Sequence, residues 1–335
     1  MKSIYISILL LIILIYYYII FGVAFDSNKL IPTPYLNEYW MSYIDPKTII
    51  TNLVLPGTHD SLANTVANIY NTENSLAKIL YRYKWLPGIK HKVTRWSRTQ
   101  INDIDKQLSR GIRFFDFRIS YTNQHKKCHG IHTFIFSEIS TTLDKIDSWL
   151  SIHPKEIIII KYRSDSPICD DIFRRKLWKW ILPTKYDPFQ MTLSDLYNLN
   201  YRLILTTDIK LKNDVLSDII HPNIVYHDWK NTFSMEEKED YIINSLNKWD
   251  SKENKLFNLD WTLTPQTTDI IINNSSLLSH ATNMNNKLDS FIKNLDNNKK
   301  AKIKLISVDN ENSIDLVKII FDNNLNKFRQ INNIN

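Results

Sequence analysis

The sequence predicts a single α/β domain, a closed or nearly closed (β/α) barrel preceded by an N-terminal hydrophobic helix. Three observations predict it. Seven short apolar runs alternate with amphipathic stretches at helical spacing, the pattern of a parallel sheet covered by helices. The chain has 335 residues, 43% hydrophobic and 23% charged, which is enough for one full core and argues against disorder. The residues able to do chemistry fall at the carboxyl ends of the apolar runs, where a barrel of this kind places its active site.

The elements follow in chain order. No charged residue occurs between Ile4 and Phe25, and Lys2 precedes that run. A stretch of about 22 apolar residues is long enough to cross a bilayer. Residues 1–25 therefore read as a signal-anchor or a signal peptide, with Gly22 and Ala24 a weak fit to a cleavage site. Residues 26–46 are polar, carry three prolines and read as a tether; the barrel occupies 47–335. Strands are expected at 49–55, 112–119, 157–162, 202–206, 223–226, 256–261 and 303–308. Helices are expected at 139–152, 169–181, 234–249, 281–295 and 313–324. The Lys/Asn-rich stretch 296–302 is a solvated connector. Residues 69–93 hold Tyr70, Tyr81, Tyr83 and Trp85 among lysines and arginines, which suits a membrane-facing rim or simply a covering helix and loop.

The net charge of +7 fits a solvated lysine-rich surface, or attraction to anionic lipid headgroups. It does not suggest nucleic acid, because no basic helix, finger or stacking motif accompanies it. Cys128 and Cys169, the two cysteines, are too few for a disulfide framework and have no metal-ligand spacing; whether they pair is left open. Asn273 and Asn274 each begin an Asn-x-Ser triplet, consistent with a lumenal or extracellular body, though chance supplies such triplets in an Asn-rich chain.

Four stretches carry the chemistry. Leu55-Pro56-Gly57-Thr58-His59-Asp60-Ser61 follows the first run, and its Pro-Gly pair is expected to end the strand and turn it. In Arg113-Phe114-Phe115-Asp116-Phe117-Arg118, side-chain alternation puts Phe114, Asp116 and Arg118 on one face and Phe115 and Phe117 on the other. An inward Asp and Arg should be paired, since a lone buried charge is costly; a purely structural ion pair satisfies that equally. His129-Gly130 follows a polar turn, and Lys161 closes the run of four isoleucines from Ile157. Separately each is weak. Together His59, Asp60, Asp116, Arg118, His129 and Lys161 supply a base, an acid and cations, the set that breaks a phosphodiester without a metal.

At these residues the sequence resembles the X-domain family of phosphatidylinositol-specific phospholipases C. LPGTHDS, QLSRGIRFFDFR, the His129-Gly130 pair and HPKEIIIIK carry the likeness, with Trp96 and Gln100 in support, over about residues 48–165. The resemblance implies a distorted TIM-type barrel and a phosphodiesterase that cleaves inositol phospholipids, or glycosylated inositol lipid anchors, to diacylglycerol and a cyclic inositol phosphate. It implies His59 as general base and His129 as general acid. Arg118 would hold the phosphate, Asp60 and Asp116 would orient it, and Lys161 would bind substrate. Farther along, Asp228 and Trp229 are candidate inositol ligands, and Asp309 a candidate partner of His59. The calcium-dependent branch has Asn after the first histidine and Glu-x-Asp on the second strand. Here Asp60 and Asp116-Phe117-Arg118 stand there, so the resemblance is to the metal-independent branch, with no metal and no cofactor expected. The expected partner is a membrane inositol lipid at a membrane surface, with no nucleic acid and no protein partner. The alternatives are a catalytically silent, membrane-tethered lipid-binding barrel and a metal-dependent glycerophosphodiesterase; the latter wants more carboxylates than this pattern supplies.

Overall fold

A computed structural model describes residues 35–66, 68–69, 82–83, 85, 88–250, 254–272 and 275–327. The expected signal-anchor, residues 26–34 of the expected tether, most of 69–87, and Asn273 and Asn274 lie outside the described residues. Among the described residues no helix is long and apolar enough to cross a membrane.

The strands are β1 (Leu55–Thr58), β2 (Asn68–Ile69), β3 (Phe114–Thr122), β4 (Lys127–His132), β5 (Phe134–Glu138), β6 (Ile158–Ser164), β7 (Leu203–Thr206), β8 (Ile220–His221), β9 (Val225–Tyr226), β10 (Leu256–Trp261) and β11 (Ile303–Val308). Parallel pairing runs β9-β10-β11-β1-β3-β6-β7-β8, a curled sheet in which β8 and β9 share no ladder among the described residues. The Thr206 hydroxyl bridges that seam, donating to Pro222 O at 2.9 Å and accepting from Ile224 N at 3.2 Å. The fold is a distorted TIM-type barrel, as expected. One excursion departs from the plain barrel. β3 continues past its neighbour β1 and pairs antiparallel with β4, which pairs with β5, which pairs with β2.

The apolar alternation decides the two layers of the core. Leu55, Phe114, Ile157, Ile159, Leu256 and Leu305 fill the amino-terminal end of the barrel interior. Phe115, Phe117, Ile158, Ile160 and Tyr162 face outward onto Leu143, Ile146, Leu150 and Phe173 of the surrounding helices. The helix expected at 139–152 is Ile139–Ile152, and the one expected at 234–249 is Met235–Lys248, started by the Ser234 side chain accepting from Glu237 N. The remaining helices shift by a few residues, to Pro167–Leu177, Leu277–Asn294 and Leu316–Asp322, as helix ends usually do. The connector 296–302 is a short helix, Asn297–Lys302, capped by Asp296.

Two expectations need correction. The segment from Tyr35 to Tyr43 is not a tether: it coils as 3-10 helix, and Trp40, Met41 and Ile44 bury against Leu55 and Phe114. Apolar residues able to cover the open amino-terminal end of a barrel gain more there than in water, and the Trp40 indole N–H donates to Gly111 O at 3.0 Å. The first strand also starts later than expected. Residues 50–52 form a 3-10 turn, and β1 begins at Leu55, so Pro56 and Gly57 lie inside the strand. Gly57 is required there because a Cβ would come within 2.7 Å of the Phe114 ring. The turn falls at His59 and beyond.

Candidate active site

The loop after β1 is built by its own sequence. Thr58 Oγ1 donates to Ser61 Oγ at 2.8 Å and Asp116 N donates to Ser61 Oγ at 2.9 Å, which ties the loop to β3. Two buried glutamines brace it. Gln107 Nε2 donates to Ser61 O at 2.9 Å, and Gln100 Nε2 donates to His59 O at 2.8 Å and to Val308 O at 3.0 Å. Gln100 thereby fastens the ends of β1 and β11, which carry His59 and Asp309. Asp60 adopts a positive φ of 41°, a conformation that Asp tolerates better than most residues.

Five groups meet at this end of the barrel. His59 Nδ1 lies 3.0 Å from Asp309 Oδ1, and His59 Nε2 lies 3.4 Å from Asp60 Oδ2. Arg118 Nε contacts Asp60 Oδ1 at 3.0 Å while its Nη2 contacts Asp116 Oδ2 at 3.1 Å. One guanidinium thus bridges two buried carboxylates, as its planar fork permits. Burial alone would lower the pKa of His59, but Asp60 and Asp309 outweigh it and bring it up to about 9. Burial would raise that of Asp60, yet His132, His59 and Arg118 hold it well below the usual carboxylate range. His59, Asp60 and Asp116 offer ligand atoms within 4.8 Å of one another, so a cation could be imagined among them. Arg118 already engages both carboxylates there, and a metal would have to displace or crowd the guanidinium.

Lys161 sits where expected, opposite Asp116 in the β3–β6 register, with Nζ 2.9 Å from Asp208 Oδ2 and 3.4 Å from His227 Nδ1. Trp229 and Asp309 also line the cavity over these groups, which has a volume of about 640 Å³.

Two expected residues do not join them. His129 points away: its Nδ1 contacts Phe136 O at 3.0 Å, its ring packs 5.2 Å from His125, and burial lowers its pKa. His132, three residues on, faces the site instead, with Nδ1 2.9 Å from Asp60 Oδ2 and its ring 6.4 Å from that of His59. Residues three apart on a strand face opposite sides, so one strand cannot present both to the loop. Gly130 marks the correct side, since a Cβ there would come within 2.6 Å of Leu62 of the same loop, and His132 is two residues farther on. Asp228 is likewise turned outward. Tyr241 donates to its Oδ1 at 2.5 Å and Ser245 to its Oδ2, both from helix Met235–Lys248, and His227 lines the cavity in its place.

Sequence reasoning also missed Arg163 and Asp208. Arg163 shares the inward face of β6 with Lys161, and its Nε donates to Asp208 Oδ1 at 2.7 Å. Arg163 and Lys161 hold Asp208 below the ordinary carboxylate range against the opposing effect of burial. Alternation beyond Lys161 would have found Arg163. Asp208 follows β7 in a loop with no distinctive motif. Asp260, on β10, is buried with Lys238 Nζ at 2.8 Å and His227 Nε2 at 3.6 Å. It anchors the imidazole beside Lys161.

A curled parallel barrel here carries imidazoles, carboxylates and a guanidinium at its carboxyl end, and the comparisons agree with the likeness to phosphatidylinositol-specific phospholipases C read from the motifs. The chain is similar to PI-PLC X domain-containing protein 1 of Homo sapiens, 32% identical over 146 residues, covering 41% of this chain and 45% of that protein. It is 28% identical over 183 residues to the 1-phosphatidylinositol phosphodiesterase of Staphylococcus aureus, covering 52% of this chain and 47% of that one. The match thus spans less than half the length of these curated relatives. Among solved structures, the phosphatidylinositol-specific phospholipase C from Listeria monocytogenes shares the fold, with a TM-score of 0.58 at 20% identity over 87% of this chain and 99% of that one. No family model matches the chain.

Proposed function

We propose that this chain is a phosphodiesterase that cleaves inositol phospholipids by acid–base catalysis, with His59 as base and His132, not His129, as acid. One observation carries the reading. Two imidazoles are each held at Nδ1 by a carboxylate, His59 by Asp309 and His132 by Asp60, in one cavity with Arg118 beside them. A hydrogen bond at Nδ1 makes Nε2 the proton-transfer atom of each ring, that of His59 lying 3.4 Å from Asp60 Oδ2.

In this reading His59 Nε2 takes the proton from the inositol 2-hydroxyl as that oxygen attacks phosphorus. The bond from phosphorus to the glycerol oxygen breaks, and His132 Nε2 donates a proton to the departing oxygen. The products are diacylglycerol and a 1,2-cyclic inositol phosphate. Arg118, fixed by Asp60 and Asp116, faces the non-bridging oxygens and stabilises the charge that gathers on them. Lys161, Arg163, Asp208 and His227 are placed to bind the inositol hydroxyls, and Trp229, 46% exposed, to lie against the ring or the lipid surface. The raised pKa of His59 makes its neutral, basic form scarce at pH 7. The base step therefore favours higher pH.

The disulfide between Cys128 and Cys169, which joins β4 to helix Pro167–Leu177, supports a secreted or lumenal setting, since such bonds persist in oxidising compartments. It agrees with the exported body expected from residues 1–25. Exposed Tyr83, Trp85 and Trp229 suit contact with a membrane surface.

The test is incubation of the purified protein with labelled phosphatidylinositol in the presence of a chelator. Release of diacylglycerol together with a cyclic inositol phosphate is expected. Release of phosphatidic acid or of free inositol as the first product would reject the assignment.

A further inference from the structure

Asp309 lies just past β11, where the strand ladder no longer fixes the chain, yet its carboxylate is kept 3.0 Å from His59 Nδ1. The turn that carries it is held from outside, by helix Leu277–Asn294. Asn285, 2% exposed and midway along that helix, donates through Nδ2 to Asp309 O at 2.8 Å, to Ser313 Oγ at 2.9 Å and to Asn310 O at 3.2 Å. The Ser313 hydroxyl gives its own hydrogen to Asn310 O at 2.9 Å. It therefore accepts from Asn285, and the amide fits only one way round.

A second asparagine completes the clamp. Asn310 has a φ of 51°, in the left-handed region that Asn tolerates, and so turns the chain directly after Asp309. Its Nδ2 donates to Thr282 Oγ1 at 2.8 Å and to Leu278 O at 3.2 Å, both on the same helix. Its backbone N–H donates to Thr99 O at 2.6 Å, and Thr99 Oγ1 donates to Asp60 O at 3.0 Å, on the His59 side of the site. Both asparagines are buried, and each leaves its Oδ1 without a partner among the described residues. That is a cost an apolar side chain in the same place would not carry. What the two amides supply is their nitrogens, and both nitrogens fasten this one turn to the helix.

We propose that Asn285 and Asn310 are positioning residues for the base: by clamping the turn after β11 to helix Leu277–Asn294 they hold the Asp309 carboxylate on His59 Nδ1 and set the basicity of that imidazole. The proposal rests on the reading of His59 as base and extends it to two residues that do not line the cavity. The charged and titratable groups facing His59 are Asp60, Asp309, Asp260 and Arg118, with the His132 ring at 6.4 Å. Asp60 and Asp309 raise its pKa and Arg118 opposes them. Slack in the turn withdraws one raising charge and leaves Asp60, held by Arg118, in place.

The experiment follows the His59 ring by NMR across pH in the substrate-free protein, its signal assigned by its loss in His59→Ala, beside the pH–rate profile on phosphatidylinositol. Wild type is compared with Asn285→Ala, with Asn310→Gly, which keeps the left-handed turn and removes the amide, and with Thr282→Val, which removes one acceptor at almost constant volume. Each should bring the His59 midpoint down toward the ordinary histidine value of about 6.5, and the acidic limb of kcat/KM should move with it. The plateau at high pH should fall by about 10–10²-fold, because the imidazole is less well aimed. In an Asp309→Asn background the same substitutions should shift the midpoint no further, since the charge they position is gone; independent effects would add. If Asn285→Ala does not fold, Asn310→Gly and Thr282→Val carry the test. A lowered Tm with midpoint and plateau unchanged would mean that the asparagines only pack, and would overturn the proposal, as would a shift undiminished in Asp309→Asn. If no inositol lipid turns over yet the midpoint falls in these variants, the clamp stands and the catalytic reading fails.

Discussion

Exchanging the two histidines of β4 separates the acid that the motif suggests from the acid that the geometry supports. His132→Ala removes the group held by Asp60, whereas His129→Ala removes a ring bonded to Phe136 O. A positioned acid contributes about 10²–10⁴-fold. His132 is 47% exposed at its side chain, so water can replace part of its function, and the loss should lie in the lower half of that range. At 1.36 kcal/mol per decade, a loss of 10²–10³-fold is about 3–4 kcal/mol of barrier. The alkoxide of diacylglycerol is a poor leaving group and needs the proton; a nitrophenolate does not. His132→Ala should therefore be severely impaired on phosphatidylinositol and far less so on a nitrophenyl inositol phosphate, while His59→Ala is impaired on both. His129→Ala should lose about 1 kcal/mol of stability through its broken hydrogen bond and keep its rate. The assays are steady-state rates on both substrates, with thermal melts as the control for folding. A folded His129→Ala variant without activity, alongside a His132→Ala variant with full activity on the phospholipid, would refute the reasoning.

Three further outcomes follow from the same geometry. His59 must lose its proton to act as base, and its pKa is raised to about 9, so kcat/KM should climb with pH from neutrality toward 9; Asp309→Asn withdraws one raising charge and should move that acidic limb to lower pH, as a pH–rate profile reads directly. The raised pKa also bears on stability. The contribution of charged His59 is complete below its unfolded value of about 6.5 and is lost as pH rises through about 9, so the wild type should melt at progressively lower temperature across that window. Arg118 supplies positive charge to Asp60 and Asp116, so saturating chelator should leave the rate unchanged, whereas Arg118→Lys, unable to bridge both carboxylates, should lose about 10²-fold or more in kcat. Restoration of chelated enzyme by calcium would contradict this. Opening the disulfide with Cys128→Ser and Cys169→Ser frees a 41-residue separation worth about 4 kcal/mol by loop-closure entropy, which calorimetry checks as a lowered Tm.

The sequence by itself determined the alternation of strand and helix, the two faces of β3, and the gathering of His59, Asp116, Arg118, Lys161 and Asp309 at one end of the barrel. These are local properties. Periodicity assigns a face, and a residue just past a parallel strand lands at the carboxyl rim wherever the strand sits. What only the tertiary structure decided was which of two neighbours turns inward once a strand leaves the barrel or ends in a loop. His132 replaces His129 because β4 pairs with the outward extension of β3 and turns its Gly130 face to Leu62. His227 replaces Asp228 because helix Met235–Lys248 supplies two hydroxyls that hold the carboxylate outside. The partners that settle both choices lie on other strands and helices, and a choice made by long-range hydrogen bonds and packing leaves no trace in the spacing of the residues themselves.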